Sequence, residues 1–394
     1  MKKKDQNFIK KENQNLILDL IQDHDLVTRA KLARLASMSP TTVSRIVASL
    51  MDVGLVKETN KHTTGVGRKA TFLSLNPDSL VSIGVELDEK NIRVGFFDFL
   101  GRSIATEEAE KELREDASTV VSRLKEIIFR LIHQYEIDIH KITGICVGLP
   151  GLVNNETGEV IISAQLGWEN ESFGQLLKDE LNYPVLIDNE LKLKAYAEKL
   201  FSKDKSSDTM VVLGFGSGVG SALIMGDTIY RGYLNSAGEI GHTVVDPNGM
   251  LCTCGNFGCL QTYIAEGFLI REASKQADVQ DLEDIILAAD ENQKWAVNII
   301  ERAITYAAIT INNSVCLNNP DKIILTGSTI ERFPSVRDRI LEAANKQIWS
   351  PLSDTTSIEV SDLGETGVIL GAGLLSQRVY INQLNDEKEL IKNE

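Results

Sequence analysis

Three of the five cysteines, Cys252, Cys254 and Cys259, fall inside eight residues, and His242 stands ten residues before the first of them. Three thiolates and an imidazole are the donor set of a closed tetrahedral zinc site, and Gly255 and Gly258 let the chain fold around one ion. Four ligands leave no open coordination position, so a zinc held here is structural rather than catalytic. The plainer alternative is three buried free thiols. Against it, "CTCGNFGC" is polar and loop-like, a poor place to bury small apolar groups. On the zinc reading the fold brings these four side chains to one point. That also fixes Glu239, three residues before His242. Carboxylate, imidazole and amide groups converging in a cleft are what recognition of a sugar's hydroxyls requires, so the segment reads as a staple shaping a small-molecule pocket.

The charge is unevenly spread. Residues 1–75 hold 13 Lys and Arg against 7 Asp and Glu, a net of +6, whereas the remainder holds 28 against 49, a net of −21. A basic head on an acidic body suggests that only the head meets a polyanion. Within the head, Leu16, Ile17, Leu20 and Ile21 give one helix an apolar stripe, and Leu32, Leu35 and Ala36 give a second. A third starts with Ser39 as N-cap and Pro40 at the first helical position. Its Val43, Ile46, Val47, Leu50 and Met51 recur at helical spacing and face the other two helices. Ser39, Thr41, Thr42, Ser44 and Arg45 are left at the outward N-terminal end, where short hydroxyls and an arginine suit base edges and phosphates in a major groove. After Gly54, "LVKE" and "ATFLSLNP" read as a hairpin whose loop carries Lys61, Arg68 and Lys69, with Gly65 and Gly67 allowing close approach. The pattern is a winged helix-turn-helix; the competing reading is a three-helix protein-interaction module.

With 394 residues the chain has room for two or three domains, and 43% hydrophobic against 25% charged residues is a globular composition. The basic start is not followed by the apolar stretch of about 7 or more residues that a signal peptide needs, and no run approaches the roughly 18 apolar residues of a membrane span. A cytoplasmic protein without disulfides is the expectation.

From Pro77 onward, β-rich runs ("VSIGVEL", "IRVGFFDF", "ITGICVGLP", "TMVVLGF", "SALIMG", "KIILTG") alternate with amphipathic helices such as residues 118–133, so sheets covered by helices are expected. A similar order near 81–148 and 209–327 points to a duplicated, two-lobed α/β architecture. The division expected is a reader over 1–76, a first lobe over 77–190, a second lobe with the cysteines over 191–365, and a C-terminal helix over 366–394 that returns to the first lobe. Glycine-rich "GFGSGVGSALIMGD" either cradles phosphate through its N–H groups or lets a hairpin bend.

Residues 215–242, "FGSGVGSALIMGDTIYRGYLNSAGEIGH", resemble the signature of the ROK family of repressors, open reading frames and sugar kinases, with Phe215 where the pattern usually has an aliphatic residue. His242 and "CTCGNFGC" match that family's zinc site in spacing. Together with the winged head and "GRKA", the whole chain resembles the family's repressor branch. The resemblance implies an actin-like, RNase H-type two-lobed sugar-binding domain, a homodimer or dimer of dimers, operator DNA of two-fold symmetry, and a monosaccharide effector, xylose or a related aldose. Carried over by position, sugar contacts fall on Asn189, Glu190, Glu239, His242 and Gln261. The family's kinases usually have aspartate where Glu190 stands and glutamate where Gln261 stands, and Gln165 in "QLGW" occupies what is commonly an asparagine position.

A sugar kinase carrying a DNA-binding head is the main competitor. Kinases of this fold need an Asp-x-Gly-Gly-Thr loop after the first strand. Alignment puts Glu86 at the acid, Asp88 and Glu89 at the glycines and Lys90 at the threonine. Side chains there block backbone donation, and like charges about 4 Å apart cost on the order of 4 kcal/mol at an effective dielectric of 20. No phosphotransfer is therefore expected. A second alternative is an interaction hub whose lobes bind a protein rather than a sugar.

Overall fold

The computed structural model describes residues 6–24, 26–59, 71–201 and 207–393. The head begins with helix α1 (Gln6–Asp23), followed by α2 (Arg29–Leu35) and α3 (Pro40–Asp52). Side-chain caps set where the two short helices start. Thr28 accepts a hydrogen bond from the Lys31 amide, and Ser39 accepts one from the Thr42 amide. Each satisfies an amide that the helix itself cannot.

Ile17, Leu18 and Ile21 of α1, Leu32 and Ala33 of α2, and Val43, Val47 and Leu50 of α3 form one buried cluster. Two of the expected stripe residues lie outside it: Leu16 is 40% exposed and Leu35 43%. In α1 the buried face is centred one residue later, on Leu18. The short α2 gives way at once to a turn with Ser37 in the left-handed region, which carries Leu35 outward. Strands β1 (Val56–Thr59) and β2 (Phe72–Leu75) pair antiparallel from Val56 opposite Leu75 to Thr59 opposite Phe72. Val27 bridges to Leu73 as a third short rung. The loop expected to hold Lys61, Gly65, Gly67, Arg68 and Lys69 lies outside the described residues.

The chain forms two compact units. The first takes the residues up to Val147, Phe173–Leu186 and those from Ala372 on. Besides the head it contains most of a five-stranded sheet built from Val81–Leu87, Asn91–Asp98, Ser103–Glu110, Ile142–Leu149 and Val185–Asn189. The helix Ala117–Gln134 buries Val120, Val121, Leu124, Ile127, Ile128 and Leu131, the apolar spacing visible in its sequence. The second unit takes Gly148–Ser172 and Ile187–Gly371. Its five-stranded sheet is built from Thr209–Phe215, Val219–Met225, Thr228–Tyr230, Lys322–Thr326 and Ser357–Val360. Counted within each unit, both sheets have the strand order 3-2-1-4-5, so the same topology occurs twice.

The long helix Gly367–Asn393 fastens the head within the first unit. Ile381 is 3% exposed and belongs to the head's buried cluster, with Tyr380 packed against it. Arg378 pairs with Asp19 at 2.9 Å, and the Asn15 amide donates to Asn382 at 3.1 Å. Gln377 donates to Ser82 Oγ at 2.9 Å and to the Asp98 carbonyl at 2.8 Å, tying the same helix to the sheet. Ile381→Ala therefore removes packing from the head although it is far from it in sequence. Urea unfolding should show a loss of about 2–4 kcal/mol for Ile381→Ala. Leu317→Ala, at a position 83% exposed, should change stability by less than about 0.5 kcal/mol.

Candidate functional site

On α3 the expected reading face is divided by its own hydrogen bonds. Ser39 Oγ lies 3.1 Å from the Thr42 amide and 2.8 Å from Thr42 Oγ1, so these two side chains are engaged with each other. Thr42 is half-buried, whereas Thr41, Ser44 and Arg45 are exposed. These three side chains point away from the head's core, and they sit at the amino end of the helix, where the backbone dipole favours phosphate.

The thiol cluster assembles in the second unit. The ligand atoms of His242, Cys252, Cys254 and Cys259 all lie within 4.8 Å of one another. Cys252 Sγ is 3.7 Å from His242 Nδ1, and Cys254 Sγ is 3.6 Å from Cys259 Sγ. Metal–sulfur bonds of about 2.3 Å arranged tetrahedrally give edges of about 3.8 Å, so donor chemistry and spacing both fit a metal ion. The loop is shaped for this convergence. Gly255 and Gly258 both have positive φ, and a Cβ on Gly258 would come within 1.5 Å of the Asp246 carbonyl oxygen. The Cys252 amide donates to the Asn256 carbonyl at 2.8 Å and the Gly255 amide to the Cys252 carbonyl at 3.0 Å, closing the turn. Beneath it, the Tyr263 hydroxyl donates to Asp246 at 2.9 Å. Burial works against ionisation of Cys252, yet donors from Cys254, Gln261 and His242 bring its thiol down to about 6. Burial and the neighbouring thiols push Cys259 up to about 12.

The residues expected to contact sugar occupy the same unit but have different duties. Asn189 caps the helix Glu190–Phe201, its side-chain oxygen accepting from the amides of Leu191 (3.1 Å) and Lys192 (3.3 Å). Its amide donates to the Gly151 carbonyl at 3.2 Å. Glu190 is the first residue of that helix. Burial raises the Glu239 carboxyl above its ordinary range, with Lys192 and His242 opposing the shift. The Gln261 amide donates to Cys252 Sγ at 3.0 Å and to Thr253 Oγ1 at 3.3 Å, so this side chain faces the thiol cluster. Sequence reasoning missed Asp188, Lys192, Arg231 and Asn235, a polar set beside these residues. Arg231 pairs with Asp188 at 2.6 Å, and Lys192 Nζ donates to the Asn235 carbonyl at 2.5 Å. Lysine and aspartate one turn apart at the start of a helix carry no signal of burial by themselves.

Two stretches bear on phosphate. Asp88 closes the turn between Val81–Leu87 and Asn91–Asp98 by accepting from the amides of Lys90 and Asn91, each at 2.7 Å. Glu86 and Asp88 share a counter-ion that the sequence reading did not include. Arg93, on the facing strand, reaches Glu86 at 3.1 Å, Asp88 at 3.3 Å and Glu108 at 3.0 Å. Burial disfavours the charge on Arg93, but Glu86, Asp88 and Glu108 outweigh it and hold the guanidinium above its ordinary range. The Lys90 and Asn91 amides of this turn are thus already taken by Asp88, and Arg93 offsets part of the negative charge around it. The glycine-rich segment is the bend between the antiparallel strands Thr209–Phe215 and Val219–Met225. A Cβ on Gly216 would come within 2.5 Å of Ser328 Oγ. At the start of the nearby helix Ser328–Arg332, Glu331 accepts from the Gly327 amide at 3.2 Å and pairs with Lys194 at 2.6 Å.

The profile of the ROK family matches residues 82–379, about three quarters of the chain. The chain belongs to the ROK family. A profile described as winged helix-turn-helix DNA-binding matches residues 11–57 ahead of the ROK region. The chain is 28% identical over 371 residues to the xylose repressor of Bacillus subtilis (strain 168), covering 93% of this chain and 95% of that one. It is 25% identical over 386 residues to the DNA-binding transcriptional dual regulator NagC of Escherichia coli (strain K12), covering 95% of each. Among solved structures, a ROK family transcriptional regulator described as a homolog of the E. coli MLC protein superposes with a TM-score of 0.78 at 25% identity, over 95% of this chain and 97% of that one. A ROK glucokinase of Streptomyces griseus, solved with glucose and AMPPNP, shares the fold at a TM-score of 0.65 and 22% identity, over 76% of this chain and 99% of its own. The α/β ROK fold with an N-terminal winged helix-turn-helix is thus the architecture of this chain. Among the described residues, no helix is long and apolar enough to cross a membrane.

Ser39→Ala removes the α3 cap without touching the core. It should cost about 1 kcal/mol of stability in urea unfolding, with Ser39→Gly costing only a few tenths.

Proposed function

We propose that this chain is a sugar-responsive transcriptional repressor of carbohydrate-utilisation genes, with xylose or a related aldose as effector. One observation carries the reading: a winged helix-turn-helix head is joined to a ROK body whose first hairpin turn has spent its amides on Asp88. The modules of this reading are the reader (1–76), a first lobe (77–190) and a second lobe (191–365). Thr41, Ser44 and Arg45 read DNA, and Ser39 and Thr42 hold the helix end that presents them. Gly67, Arg68 and Lys69 meet the flanking backbone. A homodimer, alone or paired with a second, places two copies of α3 in successive major grooves of a two-fold operator. ATP-dependent phosphotransfer is no part of this reading, and the protein works in the cytoplasm.

The effector is held by Asn189, Glu190, Glu239 and His242, with Gln261 at the edge of the pocket. Glu239 suits this role because a carboxyl in a half-buried setting accepts or donates a hydrogen bond to a sugar hydroxyl. Sugar releases the operator only if it binds the DNA-incompetent state more tightly than the competent one. His242, Cys252, Cys254 and Cys259 hold a structural zinc ion, which supplies a tetrahedral cross-link with no open position. Gln261, donating to Cys252, would orient that sulfur toward the ion.

Two experiments test this. DNA from upstream of the chain's own gene, titrated in a mobility-shift assay with a panel of aldoses, should be bound tightly without sugar and released by one of them. Glu190→Ala should keep operator affinity within about two-fold and lose at least ten-fold of the sugar response; lost operator binding would give Glu190 a structural role instead. Purified protein should carry one zinc per chain, and Cys259→Ser should abolish it. Chelation should lower the melting temperature by several degrees, since a metal bound only by the folded state stabilises it by mass action. A metal-free preparation with unchanged melting would remove the zinc from the reading.

A further inference from the structure

Inside the second unit, polar side chains are buried where apolar ones would serve packing better. Asp188 is 1% exposed, Lys192 2% and Asn235 6%. Burying an ammonium and a carboxylate is costly unless each finds partners, so such groups are kept in a core mainly for the geometry they specify. Here the partners lie across two segments about 40 residues apart. One is the end of Val185–Asn189 with the first turn of Glu190–Phe201. The other is the loop Arg231–Glu239. Lys192 Nζ donates to the Asn235 carbonyl at 2.5 Å, and the Asn235 amide donates to Asp188 Oδ1 at 3.1 Å and to the Val153 carbonyl at 3.2 Å. Arg231 pairs with Asp188 at 2.6 Å and donates to Asn235 Oδ1 at 2.8 Å. Asn235 sits at φ 58°, a conformation that aims both its carbonyl and its amide at the first segment.

At its far end the loop is tied to the neighbouring strand. The Ser221 amide donates to the Gly238 carbonyl at 2.8 Å, and a Cβ on Gly238 would come within 1.9 Å of the Ser221 carbonyl oxygen. Glu239 follows directly. The loop is thus held to the neighbouring strand at Gly238, and at Arg231 and Asn235 to the strand and helix that present Asn189 and Glu190.

We propose that Lys192, acting with Asp188, Asn235 and Arg231, is a positioning residue that sets the distance between the Asn189–Glu190 corner and Glu239, and so determines how well the pocket fits its sugar. Its functional consequence rests on the sugar-binding reading above; the latch itself does not. Burial pushes the Lys192 ammonium below its ordinary range while Asp188 and Glu239 oppose the shift, in keeping with a cation retained in a core by its partners. Lys192 need not touch the ligand.

The test uses the full chain with its metal content verified. Lys192→Met keeps the apolar stem and deletes the donor. Asn235→Gly tolerates the left-handed backbone and keeps the carbonyl that Lys192 uses, but deletes the side-chain bonds. Amide exchange by mass spectrometry should speed up at least ten-fold over residues 231–241 in both variants and stay at the wild-type rate over 250–260. In parallel, calorimetric titration with D-xylose and D-glucose should show a Kd at least ten-fold weaker for whichever the wild type binds, with operator affinity within two-fold. Lys192→Gln, which restores a neutral donor, should recover part of both effects. Unchanged exchange over 231–241, or unchanged sugar affinity where exchange has risen, overturns the proposal. If Lys192→Met fails to fold, Asn235→Gly decides by the same criteria. Should the wild type bind neither sugar while exchange still rises, the latch stands and the sugar reading falls.

Discussion

Three sulfurs and one imidazole nitrogen within 4.8 Å of one another are the constraint on which the candidate pocket depends. Thiols this close compete for their protons, because each thiolate raises the cost of ionising the next. The opposed behaviour of Cys252 and Cys259, one thiol held low and the other high, is what unshared negative charge looks like at this spacing. A divalent cation held there would take all three as thiolates, with proton release accompanying its binding. The neighbouring side chains are arranged around the cluster. Gln261 is turned toward it, Tyr263 props it from below, and Glu239 enters three residues before its histidine.

The body shares its fold with a solved ROK glucokinase, and one of its turns is chemically distinctive. In the strand pair Val81–Leu87 and Asn91–Asp98, the amides that an anion would need are already bonded to Asp88. Arg93 is shared by Glu86, Asp88 and Glu108, so one guanidinium offsets part of the negative charge around the turn. Opening such a turn to an anion takes more than neutralising one charge, because its amides must first be released from Asp88.

Much of this was legible in the residues. The Ser39 and Pro40 start of α3, the 118–133 helix and the alternation of strands and helices are local signals, set by capping and periodicity, and they appear where the spacing put them. The thiol cluster was legible because four donors of one chemistry within 18 residues have few other uses. What failed depended on partners distant in sequence. Leu16 and Leu35 satisfy a helical stripe but face outward, because the mutual packing of the head's three helices selects one rotation of each. Arg93 as the counter-ion of Glu86 follows from cross-strand register rather than from proximity along the chain. The Lys192 latch joins segments that no periodicity relates.

The helix Gly367–Asn393 places Ile381 in the buried cluster of the head, beside Ile17, Ile21 and Leu32. The DNA-reading module is therefore complete only when a residue 360 positions beyond Ile21 has arrived. At translation rates of about 5–20 residues per second, that interval is roughly 20–70 s. Until then the cluster under α1, α2 and α3 lacks one of its members, so the packing that fixes α3 draws on the far end of the chain.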